Sequence, residues 1–381
     1  MTRPEPAGGT LGAAPPTRTR LSDGRELLYF DDHRPKQRNA VDTRGLKTVE
    51  GESELRFNEL LDEWVVIASH RQERTHLPSV ADCPLCPSVS TATEVPSDDY
   101  DVVVFENRFS SLPGATRQMR DEGRGTRVAG GRCEVICFSS DHDATFSALS
   151  RERLRTIGRA LVDRTRELGA MPYVEYVLCF ENRGEDIGVT LTHPHGQIYA
   201  YPYLPAKIEK TFATAAKYRR DGGGCLVCHL NQREIELEQR VVTRSDSFVA
   251  YVPFAARWPF EVRICPLTHV PDLVAMATEE VVELLEMQGR VLGALDSVFG
   301  DEVPYVAGLI QAPVRQFRDV AHMYVEVFSP RRAEGKLKHL AGSESAAGAF
   351  INDVAPEKAA VILAQALTSD SDSREREVED G

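Results

Sequence analysis

The chain has 381 residues, 42% of them apolar, enough to bury a sizeable core as one large domain or as two repeats of moderate size. Its formal net charge of −13 argues against nucleic acid as a general partner and leaves room only for a local basic pocket that takes an anionic small molecule. No apolar run is long enough to cross a bilayer and the N-terminus lacks the apolar segment of a secretory signal, so a cytoplasmic protein without membrane association is expected.

Residues 1–20, rich in Pro, Thr, Gly and Arg, have no hydrophobic period and are expected to be a disordered N-terminal extension. Between Leu21 and Val49 one apolar patch, Leu27-Leu28-Tyr29-Phe30, predicts an ordered segment packed on the body. Leu55-Arg56-Phe57-Asn58 and Trp64-Val65-Val66-Ile67-Ala68 then read as the strands of a hairpin. Arg71 and Arg74 follow, where their forked donors would either reach a polyphosphate or face solvent. Cys83-Pro84-Leu85-Cys86 is a rigid knuckle suited to two thiolates on one metal ion, or to a redox pair. His142, in the turn after the strand Glu134–Phe138, and His193 would complete a Cys2His2 set with Cys83 and Cys86, of the closed structural type.

Between these ligands, Phe105 and Phe109 flank Asn107, an arrangement that would sandwich a base or else form core beside a turn. Apolar positions at Leu154, Ile157, Leu161 and Leu168 predict an amphipathic helix over 150–168 closed by Gly169, and Tyr173–Phe180 reads as a buried strand. The stretch Thr192-His193-Pro194-His195-Gly196-Gln197-Ile198-Tyr199 comes next, and the rest of the chain is expected to be organised around it. Two imidazoles flank a rigid proline, a glycine is expected to let a phosphate approach the main chain, and a glutamine adds an uncharged donor. If 193–197 run extended, His193, His195 and Gln197 share one face. The competing reading is a polar strand edge with satisfied histidines.

The second half repeats this order. Cys225-Leu226-Val227-Cys228 is another knuckle, and Val262-Arg263-Ile264-Cys265-Pro266-Leu267-Thr268-His269 mirrors the strand and turn that end at His142. A helix capped by Thr278, with Glu279 and Glu280 in its first turn, buries Leu284, Val291, Leu295 and Phe299. Pro304-Tyr305-Val306 answers Pro172-Tyr173-Val174, and His322-Met323-Tyr324-Val325-Glu326 stands in the place of His193–Gln197. Duplication predicts a second metal set on Cys225, Cys228, His269 and His322, with His229 as a substitute, but Tyr324 occupies the place of His195. One half is therefore expected to be catalytic and the other a scaffold. The last residues, 366–381, are acidic and Ser-rich and read as a solvated tail.

The H-x-H-x-Q pattern, in the form HPHGQ, resembles the histidine-triad superfamily and its galactose-1-phosphate uridylyltransferase branch, and the resemblance runs from about residue 53 to about residue 355. It implies an α+β fold: duplicated histidine-triad-like units, 21–210 and 211–365, forming one extended, mostly antiparallel sheet with flanking helices. Further implications are that Arg71 and Arg74 contact phosphates, that Phe105, Asn107 and Phe109 hold uracil and ribose, and that Asn182 and Thr190 bind the ribose-phosphate part and the departing phosphate. Arg108 departs from the family, which has Asp there. Lys338 and Glu344 match a segment that contacts the hexose from a partner subunit, so a homodimer is implied. Gln311 and Thr211 replace ligands that hold iron in some relatives, which favours zinc or no metal at the second set.

On this reading His195 is the nucleophile, forming a uridylyl-imidazole, and Gln197 stabilises charge on the phosphorus oxygens. The implied reaction is exchange of UMP between UDP-glucose and galactose 1-phosphate. The rivals are an adenylyl-transferring relative such as an ADP-sugar phosphorylase and a zinc-stabilised nucleotide-binding protein without turnover.

Overall fold

The structure is a computed structural model that describes residues 15–47, 53–73, 77–89, 91–112, 114 and 125–379. Val, Ile and aromatic residues are dense from residue 102 onward, and they build the strands of one large sheet. In chain order the first half supplies β1 (Thr17–Arg20), β2 (Glu26–Phe30), β3 (Glu54–Asn58), β4 (Glu63–Ile67), β5 (Val102–Glu106), β6 (Thr126–Val128), β7 (Arg132–Cys137), α1 (Arg151–Gly169), β8 (Tyr176–Arg183) and β9 (His195–Tyr201). The second half supplies α2 (Ala206–Arg220), α3 (Leu226–Leu237), β10 (Val241–Arg244), β11 (Phe248–Tyr251), β12 (Val262–Pro266), α4 (Thr278–Phe299), β13 (Tyr305–Ile310), β14 (Tyr324–Phe328), β15 (Arg331–Ala333), β16 (Lys336–Leu337), α5 (Gly342–Ala347) and α6 (Pro356–Glu379).

Eleven strands form one sheet in the order β1-β2-β5-β7-β9-β8-β13-β14-β12-β11-β10, and all of its pairings are antiparallel. The order reads as two copies of one five-strand unit back to back, β2-β5-β7-β9-β8 against β10-β11-β12-β14-β13, joined where β8 pairs with β13. The duplicated α+β architecture expected above is therefore the observed one. β3, β4 and β6 form a separate three-stranded sheet that contains the expected hairpin, and β15 pairs with β16.

One face of the large sheet is covered by α1, α4 and α6 in a continuous apolar core that includes Ile136, Ile157, Ile198, Leu285, Val325 and Leu363. The four apolar positions expected on α1 are all buried. Gly158 on α1 is needed at the crossing with α4, because a Cβ there would lie 2.8 Å from Val281 Cγ1. On the opposite face, α2 packs with Val249, Tyr251 and Tyr324 over the second half, while a smaller cluster around Leu85, Phe105 and Val135 backs the first. Among the described residues no helix is long and apolar enough to cross a membrane.

Several expectations are corrected. Residues 17–20, assigned to a disordered extension, form β1 on the edge of the large sheet, because the patch at 27–30 makes β2 and offers a free edge to the Thr-Arg alternation before it. Residues 1–14 lie outside the described residues. The segment 366–379, read as a tail, continues α6 to Glu379. Ala277, not Thr278, caps α4, with Glu280 Oε2 accepting from Ala277 N at 2.8 Å. Pro304-Tyr305-Val306 does not correspond to Pro172-Tyr173-Val174: Glu181 lies opposite Gly196 and Leu309 opposite Val325, so Tyr305 is the counterpart of Val177.

The joint between the halves contains a buried acid. Glu181 on β8 is 6% exposed, accepts from the Tyr305 hydroxyl on β13 at 2.6 Å, and its Oε2 has no partner among the described residues. Burial pushes its pKa up to about 7. Because the folded pKa exceeds the unfolded value of about 4.3, the folded state holds the extra proton and this site subtracts stability progressively as pH rises from about 4 to 7. Glu181→Gln keeps an acceptor for Tyr305 and should be more stable than the parent by about 3 kcal/mol at pH 8. The difference should shrink towards zero near pH 4.5. Urea unfolding at the two pH values checks this, and an equal difference at both would show that the carboxyl is not the cause.

Candidate active site

β9 begins at His195, directly after Pro194, and its burial alternates so that Gly196, Ile198 and Ala200 face the helices while His195, Gln197 and Tyr199 face the other way. These three line a cavity of about 570 Å³. Val135 on β7 and Phe105 on β5 continue its floor across the sheet, with Gln197 opposite Val135 and Val135 opposite Phe105. Asn107 and Phe109 lie in the turn after β5, where Asn107 Oδ1 accepts from Phe109 N at 2.9 Å and leaves the amide NH2 available to the cavity. Asn182, Thr190 and Arg71 also line it, and Arg71 Nη1 donates to the Tyr199 hydroxyl at 3.3 Å. Arg108 reaches the cavity too, with its guanidinium 5.7 Å from the Phe109 ring centre and its Nε without a partner among the described residues.

The expected site residues therefore converge, with three exceptions. Arg74 lies outside the described residues. Lys338 and Glu344 do not line the cavity: Lys338 Nζ pairs with Glu344 Oε1 at 2.7 Å, and both side chains are buried against each other. Arg44, Leu46 and Tyr199 line the cavity and were missed. Period-two counting from His195 and Gln197 would have found Tyr199, whereas nothing around Arg44 and Leu46 marks them in the sequence.

His195 Nδ1 lies 2.7 Å from the His193 carbonyl, which can only accept, so Nδ1 carries the proton and Nε2 is the bare nitrogen of the neutral ring. Burial lowers the His195 pKa, opposed by that hydrogen bond, which favours the neutral form. His193 itself precedes the strand and faces away from the cavity into the first Cys/His set. Its Nδ1 lies 3.5 Å from Cys86 Sγ, while Nε2 donates to the Ser139 carbonyl at 2.8 Å. His142 Nδ1 is 3.3 Å from the same sulfur. The ligand atoms of Cys83, Cys86, His142 and His193 all lie within 4.8 Å of one another, and so do those of Cys225, Cys228, His269 and His322. The two sets are near copies: the imidazole pair stands at 5.3 Å and 81° in the first and at 5.3 Å and 86° in the second. In the second set His322 turns Nδ1 to the two sulfurs and donates Nε2–H to the Pro266 carbonyl. Two thiols with two imidazoles, one of which in each set is oriented through its far nitrogen, fit a tetrahedral metal ion.

Two domain families match the chain: "Galactose-1-phosphate uridyl transferase, N-terminal domain" over residues 44–205 and the corresponding C-terminal domain over residues 211–376. The chain belongs to the galactose-1-phosphate uridylyltransferase family. It is 43% identical over 305 residues to the galactose-1-phosphate uridylyltransferase of Streptomyces lividans, covering 79% of this chain and 81% of that one. Against the Thermotoga maritima enzyme of the same name the identity is 38% over 313 residues, covering 81% and 96%. A solved uridylyltransferase structure superposes with a TM-score of 0.73 at 30% identity, covering 83% of this chain and 99% of that one. As a member of this family the protein is a nucleotidyltransferase.

Within this family member, Gly196 has a different role from the one expected of it. A Cβ on Gly196 would lie 2.9 Å from Phe138 Cζ and 3.2 Å from Ile136 Cγ2 on the helix side of the sheet, and 3.1 Å from the Phe180 carbonyl of the neighbouring strand. The glycine makes room for Phe138 under the strand and does not open the main chain to a phosphate, because even-numbered positions of β9 face the core. Gly196→Ala should cost about 1–3 kcal/mol of stability through overpacking. Chemical denaturation measures this, and Phe138→Leu in the same chain should recover part of the loss.

Proposed function

We propose that the protein exchanges UMP between UDP-glucose and galactose 1-phosphate through a covalent uridylyl-His195 intermediate. The observation that carries this reading is the tautomer of His195: its Nδ1–H is committed to the His193 carbonyl, so its Nε2 lone pair stands at the cavity beside Gln197. Nε2 attacks the α-phosphorus of UDP-glucose, and the bond to the bridging oxygen breaks with its electron pair leaving on glucose 1-phosphate. Galactose 1-phosphate then attacks the same phosphorus, and the N–P electron pair returns to His195. No proton need move in either step, because the leaving group is a phosphate whose second pKa is about 6. Nδ1–H bonded to a carbonyl steadies the positive ring of the intermediate, while Gln197 and Arg71, which line the cavity, donate to the phosphoryl oxygens in this reading.

In the same reading both Cys/His sets hold zinc of the closed structural type, the first through Cys83, Cys86, His142 and His193 and the second through Cys225, Cys228, His269 and His322. Bound zinc would supply rigidity to the chain segment that aims His195, and no chemistry at phosphorus. The segment carrying Lys338 and Glu344, off the cavity of its own chain, would serve the hexose site of a second copy in a homodimer.

A second reading, transfer of an adenylyl group, draws support from Arg108 at the cavity in place of the family's acidic residue and from the completeness of both Cys/His sets. Intact-mass measurement separates the two. After exposure to UDP-glucose the protein should gain a uridylyl group that disappears on adding galactose 1-phosphate, and His195→Asn should gain none. An adduct from ADP-glucose only would move the assignment to the adenylyl branch, and no adduct from either donor would leave a binding protein.

For the metal sites, elemental analysis should find about two zinc ions per chain, and Cys83→Ser and Cys225→Ser should each lose one. The Cys83 variant should lose about 10–100-fold in turnover, because it frees His193, and the Cys225 variant should lose less.

A further inference from the structure

We propose that the segment 41–47, through Arg44 and Leu46, closes the nucleobase end of the cavity and selects a base whose edge offers hydrogen-bond acceptors, uracil over adenine. The inference deepens the uridylyl reading above and rests on it.

The sheet itself gives the direction in which the donor lies. His195 and Gln197 on β9 hold the phosphorus end. From Gln197 the ladder runs to Val135 on β7, to Phe105 on β5 and to Leu27 on β2. Each step is about 4.8 Å, so β2 stands about 14 Å from the chemistry, a nucleoside's length away. The floor along this path is apolar, with Leu85 and Leu191 packed beside Val135 and Phe105, which suits the flat face of a base.

The segment 41–47 is fastened at that far end. Asp42 Oδ2 accepts from both the backbone N and the hydroxyl of Ser22 at 3.0 Å, and Leu46 N donates to the same hydroxyl at 3.3 Å. Ser22 lies in the turn between β1 and β2. From that turn Arg25 reaches Glu94 at 2.6 Å, and Glu94 N is bonded to the Pro84 carbonyl of the cysteine knuckle. Arg44 sits between these anchors. Its Nε and Nη2 donate to Asp42 at 2.8 and 2.9 Å, and its Nη1 donates to Glu94 Oε1 at 2.9 Å with Nη2 at 3.4 Å from the other oxygen.

Four of the five guanidinium N–H groups are thus committed to carboxylates, and one on Nη1 is not among these bonds while the residue lines the cavity. Arg25 and Arg44 share Glu94, with Asp23 completing the pairing of Arg25 and Asp42 that of Arg44, so the charge of the Arg44 guanidinium is compensated. Arg44 is unlike Arg71, whose assigned partner among the described residues is a neutral tyrosine hydroxyl and whose charge remains for phosphate. The remaining N–H of Arg44 Nη1 complements a carbonyl oxygen of uracil. It opposes the exocyclic amino group of adenine, where N–H would meet N–H. The four carboxylate bonds also hold the guanidinium still, so little freedom is lost when a base arrives.

The test is binding of UDP, ADP and inorganic pyrophosphate, by calorimetry, to the full-length metal-loaded protein and to Arg44→Met and Leu46→Ala. The parent should bind UDP more tightly than ADP. Arg44→Met should weaken UDP about tenfold while leaving ADP and pyrophosphate within about twofold, which is the loss of one directed hydrogen bond. Leu46→Ala disturbs no charge and so reports on placement independently of the ion pairs: it should weaken UDP and ADP alike and spare pyrophosphate. An unchanged UDP-to-ADP ratio in Arg44→Met, or an equal loss for all three ligands in either variant, overturns the inference and leaves the uridylyl reading standing. A parent that prefers ADP overturns both.

Discussion

The 2.7 Å bond from His195 Nδ1 to the His193 carbonyl is the contact on which the orientation of the cavity imidazole depends. It fixes which nitrogen of His195 carries the proton, and it ties the ring to a residue that is itself immobilised. His193 is 1% exposed, its Nδ1 faces the cysteine knuckle, and its Nε2 donates to the Ser139 carbonyl. A single residue therefore couples a Cys/His cluster to the orientation of the cavity imidazole, through its side chain on one side and its backbone on the other. Pro194 between them removes the main freedom that would uncouple the two.

The same framework, repeated without this contact, builds a different kind of site. In the second half His322 keeps its place among Cys225 and Cys228, but the residue two positions on is Tyr324. Around it the surface that corresponds to the cavity is occupied. The Arg263 guanidinium lies 5.3 Å from the Tyr324 ring centre, and Lys207 pairs with Glu326 at the position equivalent to Gln197. The core beneath has changed in step. Gly196 faces Ile136 where Val325 faces Ile264, so the volume that Phe138 takes in one half is filled from the strand in the other. Close packing leaves room for only one of these solutions at a time.

Charge is managed locally and not by the chain as a whole. A protein with a net charge of −13 nevertheless brings Arg44, Arg71 and Arg108 to one cavity. The Arg71 guanidinium pairs with a tyrosine hydroxyl, whereas that of Arg44 is surrounded by carboxylates. An arginine whose charge is compensated acts through the direction of its N–H groups, and one that is not acts through its field.

Much of this protein was legible in its sequence. Cysteine and histidine spacing picked out both Cys/His clusters, because ligand types suited to a tetrahedral ion have few other reasons to recur in the same order. Period two carried Gln197, and would have carried Tyr199, to the face of His195. The repeated order of motifs specified the duplicated sheet. Other features depended on contacts between distant parts of the chain. The direction in which Gly196 opens, the four-residue offset between Tyr305 and Tyr173, and the strand at 17–20 follow from register and from a free sheet edge. Neither is written in a local pattern. The segment at 41–47 is the clearest case: Arg44 has no motif around it. It reaches the cavity only because Asp42 meets Ser22 and Glu94 meets Arg25, contacts that span 20 and 69 residues of chain and form when the sheet closes. Local chemistry determined which residues can act, and packing decided which of them meet.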